Sequence, residues 1–313
     1  MKNRIIVTGG AGFIGSNLVD RLLSEGNEVT VVDNLSAGKM EFLEHHTENP
    51  DFKFTKIDLL ELEKLKKAVK GADMIFHLAA NPDVRLGAEN TGIYLEQNIT
   101  ATYNVLEAMR MNGLRNISFT STSTVYGEVS LIPTPENYGP LVPISLYGAS
   151  KLSCEALITS YCHTFDMKSW IFRFANIVGP RGTHGIIVDF INKLRNNPNS
   201  LEVLGDGKQR KSYLHVSDCV DAILFAMERS SDMANIFNIG SEDTINATEI
   251  GEIVVDEMGL GNVEFKYTGG SRGWKGDVPM MMLSIDKMRR LGWKPSYDSE
   301  KSVRDAARSL LGK

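Results

Sequence analysis

The sequence predicts an α/β protein built on a doubly wound parallel sheet, because short strand-like runs alternate with helical segments through its first half. Apolar residues recur at helical spacing at about 13–25, 61–69, 90–112 and 147–165. Right-handed crossovers would pack these helices onto the two faces of the sheet. The strand-like runs are Asn3–Thr8, Glu28–Asp33, Phe52–Asp58, Asp73–Ala80, Asn116–Thr122 and Ser169–Ile177.

A second, smaller lobe is predicted from the rest of the chain. The strand-like run Ile236–Ile239 follows a helical pattern at Ser217–Glu228, which indicates a late return to the same sheet. The segments around this return are rich in Gly, Asn and charge. The sequence thus assigns 1–179 and about 213–241 to a cofactor-binding domain, and 180–212 and 242–313 to a substrate-binding lobe.

The composition argues against nucleic acid and membranes as partners. The 313 residues include 34 Lys and Arg against 39 Asp and Glu, a net charge of -5. No apolar run approaches the ~20 residues of a membrane-spanning helix. The three cysteines are odd in number and lack metal-ligand spacing, so we expect a reducing, cytoplasmic compartment. No metal is expected either, because the histidines show no metal-ligand spacing apart from the adjacent pair His45 and His46 in a predicted loop.

A glycine triplet lies where the first strand turns into the first helix. Gly9 suits the positive φ of a tight turn, Gly12 lets backbone approach a pyrophosphate, and Gly15 lets the helix pack closely on the strand. Free N–H groups at the helix N-terminus favour a phosphate. The alternative is that the glycines only form a turn. In this context the triplet predicts a Rossmann-type dinucleotide site.

Asp33 ends the second strand, where its carboxylate would accept hydrogen bonds from the adenosine ribose and repel a 2′-phosphate. The sequence therefore favours NAD over NADP. Asp58 follows the third strand and is predicted to contact adenine, with a helix N-cap as an alternative that is compatible with this role. The remaining predicted contacts near strand ends and the glycine turn are Phe13, Ile14, Asn34, Ser36, Gly38, Leu59, Leu78, Ala79, Ala80 and Thr120.

Tyr147 and Lys151 are one helical turn apart, so their side chains share a helix face. The lysine cation and a positive nicotinamide ring would both lower the pKa of the phenol and make it a general base. Thr122, after the fifth strand, is the predicted hydroxyl partner. Alone, this Tyr and Lys spacing more often marks the surface of an amphipathic helix; the glycine motif and the hydroxyl cluster favour catalysis.

Further motifs extend over nearly the whole chain. Besides the glycine turn and the Tyr147–Lys151 pair they are Val32–Ser36, His77–Ala80, Asn98, Ser121–Gly127 and Arg173–Pro180. In these motifs the sequence resembles the extended short-chain dehydrogenases/reductases of the NAD-dependent epimerase/dehydratase type. Within them it is similar to the UDP-galactose 4-epimerases.

The resemblance implies a mechanism. Tyr147 would take the proton of the sugar C4 hydroxyl as hydride leaves C4, Thr122 would steady that oxygen, and Lys151 would bind the nicotinamide ribose. Asn98 joins the cofactor contacts. The substrate would be a nucleotide sugar such as a UDP-hexose, and helices near 90–112 and 147–165 would form a homodimer.

The resemblance also separates branches of the family. Relatives that dehydrate or decarboxylate the sugar tend to carry carboxylic acids just after the catalytic threonine, where this chain has Ser123 and Thr124. A C4 epimerase in galactose metabolism is therefore expected. The alternatives are another nucleotide-sugar epimerase or a reductase and, less favoured, a dehydratase, a decarboxylase or a non-catalytic dinucleotide sensor.

Four residues are predicted to anchor the substrate. Asn176 matches a diphosphate-contacting Asn, with a turn residue as the alternative. The pair Arg210 and Lys211 departs from the family pattern, and either could hold the diphosphate. Arg272 is the fourth, with a surface charge as the alternative.

Overall fold

The computed structural model describes residues 2–84, 86–274 and 276–313. The strands, in chain order, are β1 (Arg4–Thr8), β2 (Glu28–Asp33), β3 (Phe52–Lys56), β4 (Met74–His77), β5 (Asn116–Thr122), β6 (Lys168–Phe174), β7 (Asn176–Val178), β8 (Ser200–Val203), β9 (Arg210–Lys211), β10 (Tyr213–His215), β11 (Ala234–Ile239), β12 (Ile245–Asn246), β13 (Glu264–Tyr267) and β14 (Met280–Met281). The helices are α1 (Phe13–Ser24), α2 (Leu62–Ala68), α3 (Ala101–Met111), α4 (Leu146–Phe165), α5 (Ile186–Asn196), α6 (Val216–Arg229), α7 (Ala247–Glu257), α8 (Asp286–Leu291) and α9 (Ser299–Leu311).

The central sheet confirms the predicted Rossmann-type α/β fold. Within the described residues it has seven strands in the order β11-β6-β5-β4-β1-β2-β3, and the pairings from β3 to β5 are parallel. Strand order reverses between β1 and β4. In open α/β sheets the crevice beyond the carboxyl ends of the strands at this point binds ligands.

Helices pack on the sheet through apolar side chains from both. One core cluster joins Ile6, Ile75 and Ile117 of the sheet with Val105 of α3 and Ile158 of α4. These five residues are almost entirely buried. Their burial holds the central strands, α3 and α4 together, and the candidate site is built from these elements.

The helix predicted at 90–112 begins differently from the expectation. Leu95–Thr100 is a π-helical segment, and the regular helix α3 begins only at Ala101. The predicted strand Ser169–Ile177 is also divided. Its second part is the separate strand β7, which pairs with β10 and not with the central sheet.

The described residues form two compact units with interleaved segments. One comprises the chain up to Gly127, Gly139–Arg173 and Met227–Phe237; the other comprises Glu128–Tyr138, Phe174–Ala226 and Asn238–Lys313. The second unit has its own apolar core, which includes residues of α5, α7 and α9. The functional division into a cofactor domain and a substrate lobe stays a prediction.

No helix in the described ranges is both long and apolar enough to cross a membrane. The three cysteines, Cys154, Cys162 and Cys219, are buried thiols without a disulfide bond.

Candidate active site

The turn between β1 and α1 has the glycine geometry that the motif predicts. Gly9 has a φ of +71°, and a Cβ there would lie 2.6 Å from the backbone nitrogen of Ala79. A Cβ on Gly15 would lie 2.2 Å from the carbonyl oxygen of Gly9. Both distances are shorter than a real Cβ atom tolerates, so a side chain at either position would push apart β1, α1 and the end of β4.

Gly12 is the N-cap of α1 and caps it with no side chain. A Cβ on Gly12 would meet one neighbour, the carbonyl oxygen of Gly9 at 3.2 Å, so the space in front of the helix is open on that side. Phe13 and Ile14, the first helical residues, are partly exposed. The first N–H groups of a helix have no partner within it, so this opening suits an anion such as a pyrophosphate.

Asp33 is buried at the end of β2 and organises the loop that follows. Its Oδ2 accepts a hydrogen bond from the Ala11 backbone N–H at 3.0 Å, and its Oδ1 accepts one from the Leu35 N–H at 2.8 Å. A Cβ on Gly38 would lie 3.0 Å from Oδ1. Burial raises the pKa of Asp33, and the two backbone hydrogen bonds oppose that rise.

Asn34, Ser36 and Asp58 lie together beside Asp33. The Asn34 side-chain amide donates to Asp58 Oδ2 at 3.0 Å and accepts from the Ser36 N–H at 2.9 Å. Asp58 Oδ1 accepts the Leu60 N–H, whereas the N-cap of α2 is Glu61. The helix-cap alternative for Asp58 is therefore wrong: its carboxylate closes a turn before the helix and braces the loop after β2.

A chain of buried polar contacts links the ends of β1 and β4. His77 Nδ1 is 2.7 Å from Thr8 Oγ1, and Nε2 is 3.0 Å from Thr102 Oγ1. Burial, helped by the charge of Lys151, lowers the pKa of His77 to about 3, so its imidazole is neutral. The Leu78 N–H donates to the Thr8 carbonyl, which places Leu78–Ala80 beside the glycine turn.

Asn98 lies in the π-helical segment and is buried. Its Oδ1 accepts the Asn81 N–H at 2.8 Å, and its Nδ2 donates to Ser150 Oγ at 2.9 Å. A π-turn adds a residue to a helix and turns one side chain away from its regular direction, and such turns are frequent at functional sites. Asn98 thereby joins the segment after β4 to α4; its contact with a cofactor stays a prediction.

The three predicted catalytic residues come from two neighbouring elements. Ser145 caps α4 through its hydroxyl, which places Tyr147 in the first turn of the helix and Lys151 in the second. Lys151 is buried, and its Nζ donates to the Thr120 carbonyl at 2.9 Å and lies 4.7 Å from the centre of the Phe119 ring. Thr120 therefore contacts Lys151 through its backbone.

Thr122 ends β5 and caps the short 3₁₀ turn that follows it. Its Oγ1 accepts hydrogen bonds from the backbone N–H and the hydroxyl of Thr124, each at 3.2 Å. The Thr122 hydroxyl proton is not used by either bond. It is available to donate to a substrate oxygen.

The electrostatics of the Tyr147 and Lys151 pair differ from the expectation. Removal of water raises the pKa of the Tyr147 phenol, with smaller contributions from Tyr94 and Cys154. The Tyr94 ring lies edge-on to the Tyr147 ring at 6.0 Å. Burial also lowers the pKa of Lys151 from 10.5 to about 8. The protein by itself therefore does not favour the phenolate, and a bound positive charge has to supply that bias.

A buried ion pair that the sequence analysis did not single out supports the site. Arg173 on β6 contacts Glu155 on α4 at 2.7 Å, and the two side chains are only 4% and 5% exposed. Glu155 also accepts a hydrogen bond from Ser121, and Arg173 donates to the Tyr126 hydroxyl. The pair thus holds both ends of the turn that carries Thr122. The signal was present, since Glu155 lies one turn beyond Lys151 and Arg173 opens one of the motifs.

The residues predicted to anchor the substrate lie in the second unit, on and around β9. Lys211 Nζ binds Asp277 Oδ1 at 2.5 Å, and Arg272 donates to the Asp277 carbonyl at 2.8 Å and to the Glu128 carboxylate. Asn176 Nδ2 donates at 3.2 Å to the carbonyl of Ser212, the residue after Lys211. These three side chains are therefore grouped around one strand and one loop.

Arg210 makes different contacts from Lys211. Its guanidinium binds Glu249 of α7 at 3.2 Å and the Thr244 carbonyl at 3.1 Å. Successive residues of a strand point to opposite faces, which explains why Arg210 does not share the contacts of Lys211. Lys275 lies outside the described residues.

The first unit fits a dinucleotide. An uncapped helix start suits the pyrophosphate, and the buried Asp33 carboxylate suits a ribose diol. Lys151 carries three N–H donors, of which the described residues engage one, through the Thr120 carbonyl. The remaining donors suit the hydroxyls of a second ribose.

The buried ion pair can be tested by removing one partner. Arg173→Met leaves the Glu155 carboxylate buried without its counterion, so the free energy of unfolding should fall by about 3–5 kcal/mol in urea titrations. Arg21→Met, which removes an exposed pair with Glu25, should cost less than about 1 kcal/mol. An equal effect of the two substitutions would contradict the role of Arg173.

Lys151→Met should stabilise the cofactor-free protein at pH 7. The lowered pKa means that the unfolded state binds more protons between about pH 8 and 10.5, so the cost of burying the cation is fully present below pH 8 and disappears near pH 10.5. That cost is about 3 kcal/mol, and the lost hydrogen bond to Thr120 offsets about 1 kcal/mol of the gain. Urea titrations at both pH values measure the difference. A variant that is less stable than the parent at pH 7 would contradict this electrostatic account.

Comparisons with known proteins identify the family of this chain. The model of the "NAD dependent epimerase/dehydratase family" matches residues 5–240. A crystal structure of a UDP-galactose 4-epimerase is 42% identical, with a TM-score of 0.89 and 99% of each chain covered. The UDP-glucose 4-epimerase of Thermus thermophilus, in complex with NAD, is 30% identical, with a TM-score of 0.87 and 99% of each chain covered.

A relative with another activity is also similar. The UDP-N-acetyl-alpha-D-glucosaminuronate decarboxylase of Bacillus cytotoxicus is 36% identical over 265 residues, which cover 80% of this chain and 79% of the relative. The match over most of the chain, on a fold of this kind, shows that the protein is an enzyme of the NAD-dependent epimerase/dehydratase family and that its cofactor is NAD.

Proposed function

We propose that the enzyme interconverts UDP-galactose and UDP-glucose by epimerisation at C4, through a transient 4-keto sugar. The observation that carries the proposal is the set Thr122, Tyr147 and Lys151 without a carboxylic acid directly after Thr122. Thr124, two positions on, donates its hydroxyl to Thr122 Oγ1. Dehydration needs a carboxylic acid to protonate a sugar hydroxyl so that it leaves as water, and the Thr124 hydroxyl cannot act as such an acid. This position therefore favours epimerisation over dehydration.

The proposed reaction needs a base, a hydrogen-bond donor and a cation. NAD, when bound, accepts the hydride that leaves C4 and returns it. Tyr147 removes the proton of the C4 hydroxyl and gives it back, while Thr122 donates a hydrogen bond to the same oxygen. Lys151 would hold ribose hydroxyls with the N–H donors left over from its bond to Thr120. Return of the hydride to the opposite face of C4, and of the proton to the C4 oxygen, would yield the epimer with no net oxidation.

Tyr147→Phe should lower kcat by about 10²–10⁴-fold, because it removes the general base. The parent enzyme, incubated with UDP-galactose without added nucleotide, should form UDP-glucose, which anion-exchange chromatography measures. The absorbance at 340 nm should not rise. Tyr161→Phe is the matched control, since Tyr161 is on the same helix and its hydroxyl binds Glu107 at 2.8 Å, away from the site.

The other substrate classes give distinct outcomes in the same assay. Release of CO₂ from a UDP-uronate would favour a decarboxylase, and stoichiometric accumulation of reduced cofactor would favour a net oxidoreductase. Faster turnover of UDP-N-acetylhexosamines would support C4 epimerisation but assign a different sugar as the substrate. Full activity of Tyr147→Phe on every substrate would contradict the proposed mechanism and favour the sensor alternative.

We further propose that Lys211 and Arg272, and not Arg210, bind the diphosphate. Asp277 is 3% exposed and holds both cations, one through its carboxylate and one through its carbonyl. Asn176 is bonded next to them. The Arg210 guanidinium lies apart from them: Arg210 and Lys211 point to opposite faces of β9, and Arg210 binds Glu249 and Thr244.

Lys211→Met and Arg272→Met should each weaken UDP binding by about 10-fold or more, which corresponds to a charge-assisted contact of about 1.5–3 kcal/mol. Arg210→Met should change the dissociation constant by less than about threefold. Isothermal titration calorimetry with UDP measures all three. A larger loss for Arg210→Met than for Lys211→Met would reverse the assignment.

The proposed homodimer has support on the surface of the first unit. Exposed apolar side chains lie along the π-helical segment, α3 and α4, the elements that the resemblance assigns to the interface. They are Leu95, Tyr103, Met111, Leu146 and Phe165. An interface there would remove this apolar area from water.

A further inference from the structure

Three side chains with metal-binding atoms converge on the surface of the first unit, away from the glycine turn of the NAD site. His45 Nε2 lies 2.9 Å from Asp20 Oδ1, and His46 Nε2 lies 2.7 Å from the same oxygen. The three ligand atoms all lie within 4.8 Å of one another. Asp20 is on α1, and the histidines follow β2 in the short 3₁₀ turn Glu44–His46.

The convergence of the two histidines is not the default geometry of that turn. A 3₁₀ helix has three residues per turn, so adjacent side chains diverge by roughly 120°. Here the two imidazole rings are 4.0 Å apart and aim their Nε2 atoms at one oxygen. The buried Leu43 anchors the turn, and the His46 ring lies 5.7 Å from that of Phe52.

We propose that Asp20, His45 and His46 bind a divalent transition-metal ion, with Zn²⁺ as the reference ion. Imidazole nitrogen and carboxylate oxygen are ligands of Zn²⁺, Co²⁺, Ni²⁺ and Cu²⁺. Tetrahedral bonds of about 2.0–2.2 Å separate neighbouring ligand atoms by about 3.3 Å. The observed separations from Asp20 are a few tenths of an ångström shorter, so small rotations of the side chains would admit the ion.

The exposure of the three side chains fits a site that keeps a coordinated water. His46 is 14% exposed, Asp20 is 32% exposed and His45 is 48% exposed. Three protein ligands leave the fourth tetrahedral position open to solvent. On binding, the ion takes the place of the protons that the Nε2 atoms share with Asp20.

The ion would act as a clip between two parts of the first unit. It would join α1, which begins at the glycine turn, to a connection that starts with Asn34, Ser36 and Gly38 near Asp33. The sequence separation is 25 residues between Asp20 and His45. An ion that binds the folded chain and not the unfolded one raises stability by mass action.

Titration with Co²⁺ tests the site directly, because tetrahedral Co²⁺ has visible absorption bands that a loosely bound ion lacks. The untagged, NAD-loaded protein should bind one Co²⁺ with these bands, and Zn²⁺ should displace it. Asp20→Asn, His45→Gln and His46→Gln should each weaken binding by about 10-fold or more, while His163→Gln, which removes an exposed histidine of α4, should bind as the parent does.

The same variants distinguish failure of the proposed metal site from failure of the proposed epimerase function. Zn²⁺ should raise the melting temperature of the parent and of His163→Gln but not of the three site variants. All variants should keep their NAD content and epimerase rate, which shows that they are folded. Equal Co²⁺ uptake by the parent and by His45→Gln and His46→Gln, or uptake without the visible bands, would overturn the proposal.

Discussion

The buried ammonium group of Lys151 is the constraint on which the geometry of the site depends. A cation without bulk water must have its partners supplied by the fold, and here the end of β5 supplies a carbonyl and an aromatic face. That bond fixes α4 against the sheet. One turn further along α4, Glu155 is held by Arg173, and one residue before Lys151, Ser150 is held by Asn98. The helix that carries Tyr147 is therefore bound to three separate elements.

The same burial controls the chemistry. Loss of water raises the pKa of Tyr147 and lowers that of Lys151, so it disfavours the charged form of both groups. The phenol therefore keeps its proton in the protein alone, and we expect it to become a base only when a positive nicotinamide ring adds its field. This dependence would tie proton transfer to a loaded site. The proposed role of Lys151 would also account for a buried lysine at this position despite its cost in stability.

In the second unit, acidic groups arrange the cations. Asp277 holds Lys211 and Arg272 near each other, while Glu249 draws Arg210 to the other side of β9. Cationic side chains that are already oriented lose less conformational entropy when they bind a phosphate group than side chains that must first be ordered. In the proposed assignment, the acidic partners of these basic residues decide which of them face the diphosphate, and those partners come from α7 and from the loop before β14.

Patterns that are local in sequence determined much of this protein. Hydrophobic periodicity predicted the parallel sheet, the glycine triplet predicted the turn at Gly9, and the spacing of Tyr147 and Lys151 predicted a shared helix face, because each depends on the geometry of a few consecutive residues. Tertiary structure alone decided the pairing of Glu155 with Arg173, the different surroundings of Arg210 and Lys211, and the meeting of Asp20 with His45 and His46. These contacts join residues that are 18 to 66 positions apart in the sequence. Which of these side chains meet, and how deeply they are buried, depends on how the elements pack, and a pattern within a few consecutive residues cannot predict that.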